Sequence, residues 1–137
     1  MSGTIELPDC WRELQRAARS VRQLAWAPYS GFAVGAALLT GKGEVISGCN
    51  VENSSYGLTI CAERVAVCRA VAMGQRDFRA ICVSLPGTPV PCGACRQFLM
   101  EFGAGLVVLL DDTALPEGTQ PEALFLSDLL PRAFRLR

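Results

Sequence analysis

Two short stretches hold the residue types best suited to chemistry. Cys61-Ala62-Glu63-Arg64 sets a thiol two positions from a carboxylate, and Pro91-Cys92-Gly93-Ala94-Cys95 sets two thiols three positions apart. A Cys-x-x-Cys serves as half of a structural zinc clip, a redox pair, a disulfide anchor, or two legs of a catalytic metal site. In a reducing compartment a lone pair is more often the structural half-site. A closed structural site needs a fourth ligand; no second Cys-x-x-Cys exists, so Cys49 is the candidate for it. An open site needs three protein ligands, here Cys61, Cys92 and Cys95, and keeps its fourth position for water. The chain contains no histidine. That rules out a Ser/His or Cys/His nucleophilic pair and restricts any transition-metal site to cysteines and carboxylates.

An open zinc site would lower the pKa of bound water from 15.7 to about 7 and bring hydroxide within reach at neutral pH. Three thiolates blunt that effect, and a nearby cation restores part of it. Arg64 follows Cys61 by one helical turn and is placed to pair with a thiolate. Glu63 points elsewhere and is free for general acid/base work, a role worth roughly 10²–10⁴ in rate. Taken singly, Arg64 reads as a surface cation and Glu63 as a solvated first-turn acid. Cys10, Cys68 and Cys82 lie in apolar contexts and read as small core residues.

The elements that must position these groups follow from periodicity and breakers. Residues 9–25 place Leu14, Ala17, Ala18, Val21 and Leu24 at helical spacing, with Asp9 as N-cap and Pro28 beyond the far end. FAVGAALLT and EVISGCNVE form a hairpin about the Gly41-Lys42-Gly43 turn. Residues 61–73 predict a helix, apolar nearly all round and stopped by Gly74; 80–85 a buried strand; 93–102 a helix ending at Gly103; 106–110 a second buried strand. A short strand near 124–126 and a helical turn at 127–130 complete the tail. Continuous apolar strands alternating with helices indicate a three-layer α/β/α sandwich with a mixed, mostly parallel sheet. Both Cys61 and the Cys92–Cys95 pair fall where a helix begins. Unpaired N–H groups there favour thiolates.

With 137 residues the chain reads as one domain, 1–137. Thirteen basic residues balance thirteen acidic ones, which lends no support to a nucleic-acid or anionic-membrane partner. The N-terminal stretch lacks the pattern of a secretory signal, and no apolar run approaches the ~20 residues needed to span a bilayer. A soluble, cytoplasmic protein is expected, and there seven cysteines, an odd number, point to metal or catalysis over disulfides.

Cys61-Ala-Glu63-Arg64 followed by Pro91-Cys92-Gly-Ala-Cys95 closely resembles the zinc signature of the cytidine deaminase superfamily in its all-cysteine, homotetrameric branch. The resemblance extends to PYSGFAVGAALLT, GCNVENSSYG and LLPRAF, and so covers about residues 10–134. It implies one Zn²⁺ per subunit on Cys61, Cys92 and Cys95, Glu63 as proton shuttle, and hydrolytic deamination of cytidine and deoxycytidine. It further implies Asn50 and Glu52 at a sugar hydroxyl, the backbone of Ala62 at the base edge, Phe32 and Phe134 packed on the nucleoside, and Tyr56 near a site shared between subunits. Phe134 would arrive from a neighbouring subunit of a homotetramer. Without that resemblance, Phe32 reads as strand core and Asn50 as a turn cap. Gly31 stands where many relatives carry a larger polar residue, and reads as strand entry. The alternative is a sister small-molecule deaminase, such as one acting on blasticidin S.

Overall fold

A computed structural model of the chain describes residues 5–136; residues 1–4, where the N-terminal stretch begins, and Arg137 lie outside them. Helix α1 (Trp11–Arg22) buries Trp11, Leu14, Gln15 and Ala18. Its N-cap is Cys10, whose side chain makes no capping bond, so the expected Asp9 cap is not formed. Leu24, expected on the apolar face, falls past the last turn and is exposed.

The hairpin strands are β1 (Gly35–Thr40) and β2 (Val45–Cys49), closed by a Gly43 N–H that donates to the Thr40 carbonyl at 3.0 Å. Helix α2 (Ala62–Ala72), strand β3 (Phe78–Leu85), helix α3 (Gly93–Met100), strand β4 (Val107–Asp112), strand β5 (Glu122–Phe125) and helix α4 (Leu126–Leu129) follow. The strands form one sheet in the order β2-β1-β3-β4-β5.

The sheet is mixed, as expected, but mostly antiparallel where a mostly parallel one was expected. Only β3 and β4 run parallel; β1 pairs antiparallel with both β2 and β3, and β4 with β5. Burial hides the strand directions. Every residue of β1 is buried because helices cover both faces of the sheet. A strand so covered loses its polar alternation whatever its direction.

Helix α1 packs one face, joining Leu14, Ala18 and Trp11 to Ala37, Leu39, Ala80, Cys82 and Leu109. On the other face Ala62, Ala66, Val67 and Ala70 of α2, with Leu99 and Met100 of α3, meet Ala36, Leu38, Ile81 and Val108. Gly48 sets the spacing between β2 and α2. A Cβ there would sit 2.5 Å from the Ala66 nitrogen and 2.9 Å from the Ala62 carbonyl, both backbone. That close approach brings the end of β2 against the first turn of α2. Among the described residues no helix is long and apolar enough to cross a membrane.

Candidate active site

The first turns of α2 and α3 meet over the sheet. Cys61 and Cys92 are the N-caps of these helices, both in extended conformation, and Cys95 lies in the first turn of α3. The three sulfurs lie within 4.8 Å of one another, and no other cysteine joins them among the described residues, Cys49 included. Cys61 Sγ and Cys92 Sγ are 3.9 Å apart, far beyond a disulfide bond. Sulfurs at about 2.3 Å from a tetrahedral zinc are about 3.8 Å from each other, so the donor set and its spacing fit that ion.

Charge is arranged to suit thiolates. A hydrogen bond from Cys95 holds Cys61 down to about 5, and Arg64 and Cys92 add to this against the opposing effect of burial. Cys95 is correspondingly raised, first by bonding to Cys61 and then by burial. Arg64 donates from Nη2 to Cys61 Sγ at 3.4 Å, and its Nε is buried without a partner among the described residues. Bonding to the Cys61 thiolate raises Arg64 above its ordinary value and fixes its charge. Glu63 is 4% exposed, and burial pushes its carboxyl up, with the charge of Cys61 adding. The solvated acid expected of Glu63 alone is therefore not what the fold holds.

A cavity of about 260 Å³ opens beside the cluster and is lined by Phe32, Asn50, Glu52, Cys61, Ala62, Glu63 and Cys92, together with Ser30. Phe32 precedes β1 and is 51% exposed, so it is not strand core. Asn50 is 7% exposed; its Oδ1 accepts from the Val34 N–H at 2.8 Å and its Nδ2 donates to the Phe32 carbonyl at 2.8 Å. The amide thus fixes the segment that carries Phe32, and keeps one N–H and one lone pair free. Glu52 accepts from the Tyr29 N–H (2.9 Å), the Ser30 N–H (3.1 Å) and the Ser30 hydroxyl. The hydroxyl first, then the two N–H groups, hold its carboxyl below the usual range. Gly31 is not simple strand entry. Its φ of +69° ends a turn whose Gly31 N–H donates to the Ala27 carbonyl at 2.9 Å.

Tyr56 and Phe134 are not brought to the cavity within one chain. Tyr56 lies in a 3-10 turn (Tyr56–Leu58), 77% exposed, edge-on to Tyr29 at 6.3 Å. Phe134 is 70% exposed beside α3, where its carbonyl accepts from Gln97 Nε2 at 3.2 Å. Cys82 is buried and pushed up to about 12, as a core thiol should be, and Cys10 is half-buried. Cys68, however, is exposed on the outer side of α2.

Ser30, Arg96 and Asp112 went unnoticed in the sequence. Arg96 donates to the Pro91 carbonyl from Nε and to the Leu129 carbonyl from Nη1, both at 2.8 Å. Asp112 Oδ1 accepts from the Gly87 N–H at 2.8 Å. Together they hold the loop that delivers Cys92. The one available signal was Glu52, a carboxylate that needs donors and follows the Ser30-Gly31 turn in the sequence.

A family model described as the cytidine and deoxycytidylate deaminase zinc-binding region matches residues 9–111. A cytidine deaminase of Mycobacterium tuberculosis is 45% identical over 133 residues, covering 95% of this chain and 94% of that protein. A Dictyostelium discoideum relative is 54% identical over 90 residues, 64% of this chain and 61% of its own length. The crystal structure of cytidine deaminase from Burkholderia pseudomallei superposes with a TM-score of 0.82 at 47% identity, covering 89% of this chain and 97% of that one.

Proposed function

The chain belongs to the cytidine and deoxycytidylate deaminase family, and from that premise we propose that it hydrolyses free cytidine and deoxycytidine to uridine and deoxyuridine with release of ammonia, as a zinc enzyme of pyrimidine salvage. The observation that carries this reading is one cavity lined by Cys61 and Cys92 of the three clustered thiols, by the buried carboxyl of Glu63 and by the acceptor carboxylate of Glu52. Cys61, Cys92 and Cys95 are the residues that would hold zinc, which when bound acts as a Lewis acid and brings water toward ionisation near neutral pH.

The chain's own groups do the rest. Glu63 takes one proton from the attacking water and gives it to N3 of the pyrimidine as the water oxygen bonds to C4. It then carries the second proton to the exocyclic amine, the C4–N bond breaks, and ammonia leaves. Burial suits Glu63 to this work, because it raises the carboxyl and so favours holding a proton between the two transfers. Arg64 offsets the negative charge of the thiolates. Glu52, with Asn50 beside it, accepts from a sugar hydroxyl, while Phe32 packs on the nucleoside and the Ala62 backbone meets the base edge.

Phe32 at the cavity is exposed, and so are Trp26, Tyr29, Val51, Tyr56, Leu58 and Ile60 in the segments next to the cavity-lining residues along the chain. So much exposed apolar surface favours burial against another copy of the chain, which supports self-association; the family resemblance makes that a homotetramer, in the cytoplasm, with Tyr56 and Phe134 serving neighbouring sites. The test is ammonia release from cytidine, deoxycytidine, cytidine monophosphate and blasticidin S, with the molecular mass measured on the same preparation. Turnover of the two free nucleosides alone is expected. A zinc-loaded protein inert on both defeats the reading, and turnover of blasticidin S alone moves the chain to a sister activity. A fully active monomer defeats the sharing of sites.

A further inference from the structure

We propose that Ser30 is a positioning residue for substrate recognition: its hydroxyl locks the Glu52 carboxylate so that a single acceptor position is left for a ring hydroxyl of the nucleoside. The inference rests on the nucleoside reading of the site and concerns how that site reads the sugar.

A carboxylate offers about four lone-pair positions. The Tyr29 and Ser30 N–H groups, at 2.9 and 3.1 Å, both fall on Oε1, and the Ser30 hydroxyl falls on Oε2. Oε1 is therefore saturated and Oε2 keeps one position. The hydroxyl's direction is fixed as well. Ser30 Oγ accepts from the Phe32 N–H at 2.9 Å, and a carboxylate can only accept, so the hydroxyl proton points at Glu52.

The turn makes this possible. With Gly31 at φ +69°, the backbone reverses so that the N–H two residues after Ser30 returns to its own Oγ. One side chain thereby ties the acceptor for the sugar to the backbone of Phe32, which lines the same cavity. A lone remaining acceptor favours a donor such as a hydroxyl, and repels a phosphate ester at that point of the sugar.

The experiment compares wild type, Ser30→Ala and Ser30→Thr on deoxycytidine and on 2′,3′-dideoxycytidine, which lacks the ring hydroxyls. Ser30→Ala is expected to lower kcat/KM on deoxycytidine about tenfold, the size expected for one hydrogen bond to a charged group. On dideoxycytidine the change should stay within about twofold, since no hydroxyl remains for Glu52 to read. Ser30→Thr, which keeps the hydroxyl, should stay within about threefold of wild type on both. If dideoxycytidine turns over too slowly to follow, its inhibition constant against deoxycytidine gives the same comparison. Equal losses on both substrates would mean that Ser30 only shapes the turn, and would overturn the proposal; so would no loss on either. A wild-type protein inert on deoxycytidine would instead defeat the reading of the reaction itself.

Discussion

Removing the acceptor at Asp111 should cost the fold far more than a surface ion pair would. Asp111 is the penultimate residue of β4, is 2% exposed, and accepts four hydrogen bonds: from Arg19 Nε (2.8 Å) and Nη2 (2.9 Å), Gln15 Nε2 (3.0 Å) and Ser84 Oγ (2.6 Å). In Asp111→Ala two of these donors keep other acceptors, Arg19 Nη2 on the Asp112 carbonyl and Gln15 Nε2 on the Thr119 carbonyl. Arg19 Nε and Ser84 Oγ lose theirs, and a largely buried guanidinium is left uncompensated. Breaking a buried pair from one side costs roughly 3–5 kcal/mol. The two surviving bonds place the loss near the low end, about 3 kcal/mol. At roughly 4 °C per kcal/mol for a chain of this size, the midpoint of thermal unfolding falls by about 12 °C.

The acid dependence of that loss has a definite sign. Burial acts to raise the Asp111 carboxyl, but its bonds from Arg19, Ser84 and Gln15 outweigh burial and hold it below the ordinary 3.8. A depressed folded value stabilises fully above 3.8, and that stabilisation is lost as pH falls through the folded value. The gap between wild type and Asp111→Ala should therefore be full at pH 7 and shrink only below about pH 4, as measured by urea unfolding across pH. Arg19→Met added to Asp111→Ala should recover much of the loss, because it removes the stranded charge. A single variant within about 1 kcal/mol of wild type, or a double variant no better than the single, would refute the account.

Three further outcomes are expected. Glu63→Gln should retain zinc, by metal analysis, while kcat falls roughly 10²–10⁴-fold; equal zinc loss would make Glu63 a ligand. Cys92→Ser should lose zinc itself, since it leaves two of the three clustered thiols. Gly48→Ala drives a methyl into the backbone of α2 and should cost about 1–3 kcal/mol in denaturant unfolding; an unchanged midpoint would show that β2 and α2 separate freely.

The sequence displayed the chemical centre well because its residue types are rare and closely spaced. Cys61, Glu63, Cys92 and Cys95 are legible as a candidate metal cluster with a carboxyl beside it before any fold is known, and breakers such as Gly74 and Gly103 bound the helices that carry them. Direction within the sheet was hidden, because β1 is covered on both faces and shows no alternation. The exposure of Cys68 was hidden for a related reason: α2 is apolar nearly all round, so periodicity cannot choose its outer side. Gln15, Arg19 and Asp111 were invisible as a group, since their bonds span 92 to 96 positions. Asn50 shows a subtler limit. Its amide caps local backbone and also faces the cavity, so the two uses weighed for it are compatible.

The separation of the thiols along the chain has a consequence for how the site tolerates change. Cys92 and Cys95 share one helix start and move as a rigid pair, whereas Cys61 belongs to another helix, joined to them through β3 and the loop at 86–91. An insertion or deletion in that loop would leave the spacing within the pair intact and slide the pair relative to Cys61. For the zinc site proposed above, loop length would adjust the grip without touching a ligand, while an insertion or deletion between residues 92 and 95 would alter the spacing of two of the three clustered thiols.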